Sequence, residues 1–66
     1  MDRDIFLKQM VAFAMSKGIS EDQAQRIMNK YIVKLDTSDS IVQHIGPEYY
    51  AYQILINEKL VDFVAL

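Results

Sequence analysis

Apolar residues recur three or four positions apart through the first part of the chain, a spacing typical of a helix. The helix begins near Asp2, because carboxylates in a first turn complement the positive end of the helix dipole. It ends at Gly18, since glycine accepts the left-handed backbone that closes many helices. We predict a first helix over residues 2–17, with an inner face formed by Phe6, Leu7, Met10, Phe13 and Ala14.

A second helix is predicted directly after this glycine. Ser20 stands three residues before Gln23, the spacing of a capping box in which the serine side chain accepts a hydrogen bond from the Gln23 amide. The apolar face that follows consists of Ala24, Ile27, Met28, Tyr31 and Leu35. The two helices and their short connection form a predicted helical hairpin over residues 2–35.

The second half of the chain begins with a loop over residues 36–40, rich in aspartate, serine and threonine. A short helix over residues 40–45 is followed by Gly46 and Pro47, which interrupt it. Proline at a first helical position, followed by Glu48, indicates the start of a long C-terminal helix over residues 47–64. The sequence therefore predicts an all-α fold, a small three- to four-helix bundle in which residues 1–66 form a single domain.

The aromatic and methionine side chains are assigned mainly to the core of this bundle. We place Tyr49 and Tyr52 inside it and leave Tyr50 partly exposed. Flexible methionines fill irregular gaps between packed helices. We interpret the remaining candidates as such gap-fillers: Met10, Met15 and Met28.

The small size of the chain favours self-association. A protein of 66 residues buries a modest core, which disulfides, a metal or oligomerisation usually supplement. The sequence has no cysteine and one histidine, so neither a disulfide nor a cysteine or multi-histidine zinc site is available. Hydrophobic residues nevertheless make up 52% of it, and surplus apolar surface marks interfaces. We predict a homodimer whose interface is formed by the C-terminal helix residues Tyr52, Ile56, Leu60, Phe63 and Leu66.

No pattern in the sequence indicates catalysis or a cofactor. The single histidine, His44, has no recognisable serine nucleophile or orienting partner. The loop that starts at Asp36 places oxygens at alternate positions, as a calcium loop does, but Ile41 replaces the required glycine and Pro47 the final glutamate. We expect a protein that is not an enzyme, with no cofactor, metal or small-molecule substrate.

One stretch supports an alternative function. Residues 14–30 resemble the helix-turn-helix motif of DNA-binding proteins when Gly18 is aligned with the glycine of its turn, although Ala24 stands where a branched residue is usual. This resemblance implies that the second helix enters the major groove with Gln25, Arg26, Asn29 and Lys30 outward. The sequence pI near 5.1 speaks against it, because DNA affinity comes largely from basic side chains. The alternative stays open.

The charge distribution supports a second alternative. Residues 1–35 carry six basic and four acidic side chains, a net charge of +2, and residues 36–66 carry one against five, a net charge of −4. An acidic surface of this kind suits an inhibitor of a basic protein, with the candidates Asp39, Glu48, Glu58 and Asp62. The same carboxylates have the wrong sign for anionic lipids. Our leading hypothesis is a cytoplasmic, non-enzymatic interaction or regulatory protein that does not bind membranes and whose partner is a protein, most simply a second copy.

Overall fold

The computed structural model describes residues 2–61, and these form an all-α bundle without strands. The four helices are α1 (Arg3–Ser16), α2 (Glu21–Ile32), α3 (Ser40–Ile45) and α4 (Pro47–Asn57). This confirms the predicted fold class, and the bounds of α3 agree with those predicted for it. None of the helices in the described part is long and apolar enough to cross a membrane.

The connection between α1 and α2 has the predicted capping geometry. Gly18 adopts φ +90°, so its amide and that of Ile19 turn back to the carbonyls of Met15 and Ala14, at 3.0 and 3.2 Å. The Ser20 hydroxyl then accepts from the backbone amide of Gln23 at 3.3 Å. A glycine that ends one helix and a serine that begins the next thus fix the hairpin within four residues.

Ten buried apolar side chains from three helices form the core: Phe6, Met10, Val11 and Ala14 of α1, Ala24, Met28 and Ile32 of α2, and Ala51, Ile54 and Leu55 of α4. Helix α1 packs against both α2 and α4. The shorter α3 contributes no buried residue and contacts α4 alone among the helices. It is tied to the preceding loop by Gln43, whose side-chain amide donates to the Thr37 carbonyl at 2.9 Å.

The C-terminal helix is shorter than predicted. The prediction that this helix extends to Val64 is wrong. Helix α4 ends at Asn57, and the chain reverses at Lys59, which adopts φ 61°. The amide of Leu60 donates to the Leu55 carbonyl at 2.9 Å, and Leu60 packs against the core. Contact between this apolar side chain and the last turn commonly accompanies such a reversal. Residues 62–64 of the predicted helix lie outside the described part of the chain.

Helix α2 is also shorter than predicted, ending at Ile32 instead of Leu35. The amides of Lys34 and Leu35 donate to carbonyls three residues earlier, at 2.9 and 3.0 Å. This tightening of the last turn is common at helix ends. It leaves Leu35 partly buried against the core, as its place in the apolar pattern requires.

The left-handed backbone at Lys59 gives a prediction about stability. A residue with a Cβ is strained by roughly 1 kcal/mol in this conformation. Glycine removes the strain, but part of the gain is lost because glycine also gives the unfolded chain more conformational freedom. We expect Lys59→Gly to raise the free energy of unfolding by about 0.5–1 kcal/mol, measured by urea denaturation. Lys59→Ala serves as the control, since it removes the charge but keeps the Cβ. Equal stability of the two variants would contradict the assigned turn.

Candidate protein-interaction surface

Helix α1 carries apolar side chains on both sides. Its inner side, with Phe6, Met10 and Ala14, is fully buried. The opposite side is exposed and mixed in character: polar residues such as Gln9 and Ser16 flank Ile5 and Met15, which are 50% and 43% exposed. Large apolar side chains exposed together on one side of a helix often mark a contact surface. The exposed side of α1 therefore has the character of a contact surface.

We call this surface the outer face of α1 and define it by Ile5, Lys8, Ala12 and Met15. All four residues are exposed. Their spacing of three, four and three residues aligns them along one side of the helix. Lys8 is the only charged member, and its four-carbon stem adds apolar area beside Ala12.

A groove of about 490 Å³ runs beside the outer face, between α1 and α2. Its lining from α1 consists of Asp4, Leu7, Lys8, Val11, Ala12 and Met15, and its lining from α2 consists of Glu21, Gln25 and Asn29. The α1 side is thus mainly apolar and the α2 side polar. Protein interfaces usually combine an apolar centre with a polar rim.

A second group of exposed apolar side chains lies around α3. Ile41 and Ile45 are one helical turn apart and are 67% and 43% exposed. Tyr49, in the first turn of α4, is 53% exposed and packs its ring against the edge of Tyr50 at 5.7 Å. These three residues, two on α3 and one on α4, are here called the α3 patch.

Two assignments of side chains to the core are wrong. Tyr49 is exposed, whereas Tyr50 turns inward to Phe6 with 6.3 Å between ring centroids. Met15 lies on the outer face of α1, in contrast to the buried Met10 and Met28. The outer face was missed although its residues stand in the sequence at helical spacing, because a stripe of larger side chains occupies the opposite side of the same helix.

The interface predicted on the C-terminal helix does not form one helical seam. Tyr52 and Ile56 are half-buried on α4, and Tyr52 packs edge-on against Phe13 at 6.2 Å. Leu60 follows the reversal at Lys59 and packs against the core instead of extending the helix. Phe63 and Leu66 lie outside the described residues. The role of these five residues in an interface stays a prediction, without the continuous helix on which it was based.

The four residues of the DNA alternative are exposed but divide between two sides of α2. Gln25 and Asn29 line the groove beside α1, and the Asn29 side chain donates to the Gln25 carbonyl at 2.8 Å. Arg26 and Lys30 line a groove of about 500 Å³ on the other side, together with Glu58 and Leu60. The basic pair and the amide pair thus face different neighbours.

Lys30 is engaged by a carboxylate. Its Nζ lies 2.7 Å from the Glu58 Oε1 and 5.1 Å from the Tyr31 ring centroid. The hydrogen bond between the two charged side chains raises the pKa of Lys30 and lowers the pKa of Glu58, because it favours the charged form of each. Nearby, the Asn57 amide donates to the Tyr31 hydroxyl at 2.8 Å. Side-chain contacts thus join α2 to the end of α4.

The carboxylates of the acidic-inhibitor alternative have separate positions. Asp39 caps α3 by accepting from the Ile41 amide at 2.7 Å, and Glu58 pairs with Lys30. Glu48 is exposed in the first turn of α4, and Asp62 lies outside the described residues. Two of the three described carboxylates therefore have structural partners.

Comparisons with protein-family models, with curated proteins and with solved structures found no match to this chain. The arguments about function accordingly rest on the surfaces of the protein itself.

The ion pair between Lys30 and Glu58 predicts a pH dependence of stability. Because the pKa of Glu58 is lowered, the ion pair stabilises the fold fully at pH values above 4.5, the ordinary pKa of this carboxyl group. This stabilisation is lost as the pH falls through the lowered pKa. The raised pKa of Lys30 keeps the contribution at neutral pH and removes it at strongly alkaline pH. We expect Glu58→Gln to destabilise the protein modestly at pH 7 and not at pH 2, in urea titrations.

A variant with Lys30→Met provides the control for this measurement. In that background the ion pair is absent, so Glu58→Gln should have no comparable effect at pH 7. An equal effect of Glu58→Gln in both backgrounds would contradict a direct interaction between the two residues.

Proposed function

We propose that this protein is a small, non-enzymatic interaction and regulatory protein that acts through protein–protein contacts and self-associates as a homodimer. The observation that carries the proposal is the apolar outer face of α1, where Ile5 and Met15 are about half exposed. Burying such side chains gives about 25 cal/mol per Å² of apolar surface. A protein partner supplies this burial without requiring any catalytic group.

The size of the bundle supports self-association. Ten core side chains drawn from three helices are few, and a second subunit adds buried area that a 66-residue chain lacks. The groove beside α1 provides a concave surface next to the outer face. Together they supply an apolar ridge and an adjacent groove, which complementary partners use in helix packing.

Protein contacts are favoured over DNA by the charges around α2. Glu21 lies in the same groove as Gln25 and Asn29, where it repels a phosphate backbone, and Lys30 is paired with Glu58. Nucleic-acid binding requires several basic side chains free to neutralise phosphates. We place the protein in the cytoplasm, in keeping with a sequence that contains no cysteine.

Sedimentation velocity from micromolar to millimolar protein tests the proposal. We expect the mass to rise from 7.7 kDa towards twice that value as concentration increases. Met15→Lys places a charge on the outer face and should weaken dimerisation at least tenfold, with the helical circular-dichroism signal retained because this side chain is outside the core.

Gln53→Lys is the matched control, since it adds the same charge at an exposed position of α4. A monomer at every concentration would overturn the homodimer. A titration with labelled duplex DNA at low salt covers the alternative: salt-sensitive binding that Arg26→Ala weakens would replace the proposed function with DNA binding.

A further inference from the structure

We propose that two copies of the chain associate through antiparallel packing of their α1 helices, with Ile5 against Met15 of the second copy and Lys8 against Ala12 of the second copy. This rests on the proposed function and deepens it, because it names the surface, the partner and the relative direction of the helices.

The spacing of the outer face is self-complementary. Its four residues are separated by three, four and three positions, so reversing the direction of the helix maps the pattern onto itself. A two-fold dimer requires a surface that matches its own copy in this way. The alternation of three and four residues is also the spacing with which helices pack side by side over several turns. From Ile5 to Met15 the contact is about 15 Å long.

Side-chain size favours the antiparallel direction. With the helices antiparallel, the long stem of Lys8 lies over the small Ala12 of the second copy, and Ile5 meets Met15. With the helices parallel and in register, Ala12 would face Ala12 and leave a gap, while Lys8 would face Lys8. Packing of large against small side chains fills an interface without voids, and only the antiparallel arrangement provides it.

Charge favours the same direction. The groove beside Ala12 is lined by the carboxylates of Asp4 and Glu21 and by Lys8 of the same chain. A Lys8 ammonium of the second copy placed over Ala12 therefore enters a groove with more carboxylates than ammonium groups. By symmetry, the dimer would contain two such contacts, each with Lys8 of one copy in the groove of the other copy. The parallel arrangement instead brings two ammonium groups together, which repel. Opposite charges across the contact thus select the antiparallel dimer.

The outer face of α1 offers a longer helical contact than the α3 patch, which exposes three large apolar side chains on two helices. Helix α3 has six residues, whereas the outer face extends along most of the 14 residues of α1. The groove with α2 adds contact area beside α1. Because α1 and α3 do not contact each other, Met15 and Ile41 can be substituted separately to compare the two surfaces.

Cysteine cross-linking tests the arrangement, and the native chain has no cysteine to interfere. Ile5→Cys and Met15→Cys are made as separate proteins of different size and oxidised alone or mixed. The antiparallel dimer places the two different cysteines opposite each other and like cysteines about 15 Å apart. We expect the mixed disulfide at least tenfold more often than either like pair. Ile41→Cys, with similar exposure on α3, measures random collision.

A charge exchange provides the second measurement. Lys8→Glu and Glu21→Lys should each weaken dimerisation several-fold by placing like charges across the contact. Mixing the two single variants should restore it, because each contact across the mixed dimer then pairs opposite charges. An interaction within one chain, where Lys8 and Glu21 line the same groove, would not be rescued by mixing. Sedimentation measures association, and circular dichroism verifies that each variant is folded.

The outcomes separate this inference from the proposed function. A dimer in which Ile5→Cys links to itself as readily as to Met15→Cys, or in which Ile41→Cys links more efficiently, overturns the α1 pairing and leaves the homodimer standing. Failure of the mixed single charge variants to associate, when the native chain is a dimer, also overturns it. A chain that stays monomeric overturns both.

Discussion

The packing of α1 between two neighbours is the constraint on which the rest of the structure depends. Helix α1 contacts both α2 and α4, and its Phe6, Met10 and Ala14 are fully buried between them. Two neighbours cannot enclose a helix on all sides, and residues 2–61 contain no further long helix that packs against α1. Since the uncovered side includes Ile5 and Met15, it leaves apolar surface in contact with water.

The parts of the fold that could be predicted from the sequence are those with local chemical signals. Gly18 and Ser20 specify the end of α1 and the start of α2. The polar row Asp22, Arg26 and Lys30, spaced by four, identifies the opposite side of α2 as the buried one. On α1 the comparable row of Asp4, Lys8, Ala12 and Ser16 is interrupted by Ala12, so periodicity alone could not determine how much of the helix circumference is buried. Met15 was for this reason assigned to the core. The same ambiguity placed Tyr49 in the core, whereas the adjacent Tyr50 is the one that packs against Phe6.

The end of α4 could not be predicted because no local signal marks it. Lysine is an ordinary helix residue, and Lys59 adopts a left-handed conformation only because the following Leu60 packs onto a core that other parts of the chain build. Tertiary contacts thus override local preference. Glu58, at the end of the same helix, pairs with Lys30 and so occupies one of the basic side chains that the DNA alternative needs. The end of α4 therefore bears both on the predicted C-terminal interface and on the DNA alternative.

The geometry of the bundle also determines what an α1 dimer would leave outside. Helix α3 contacts α4 and not α1, so pairing through the outer face of α1 does not directly involve Ile41 or Ile45. Tyr49 is nearer, because it follows Glu48, which shares a groove with Ala12 of the outer face. A two-fold dimer would present the α3 patch twice, held at a fixed separation by the α1 pair. Two weak sites held by one rigid body bind a divalent partner more tightly than either site alone. Self-association through α1 is therefore compatible with further protein contacts through Ile41 and Ile45, since the helix that carries them does not contact α1.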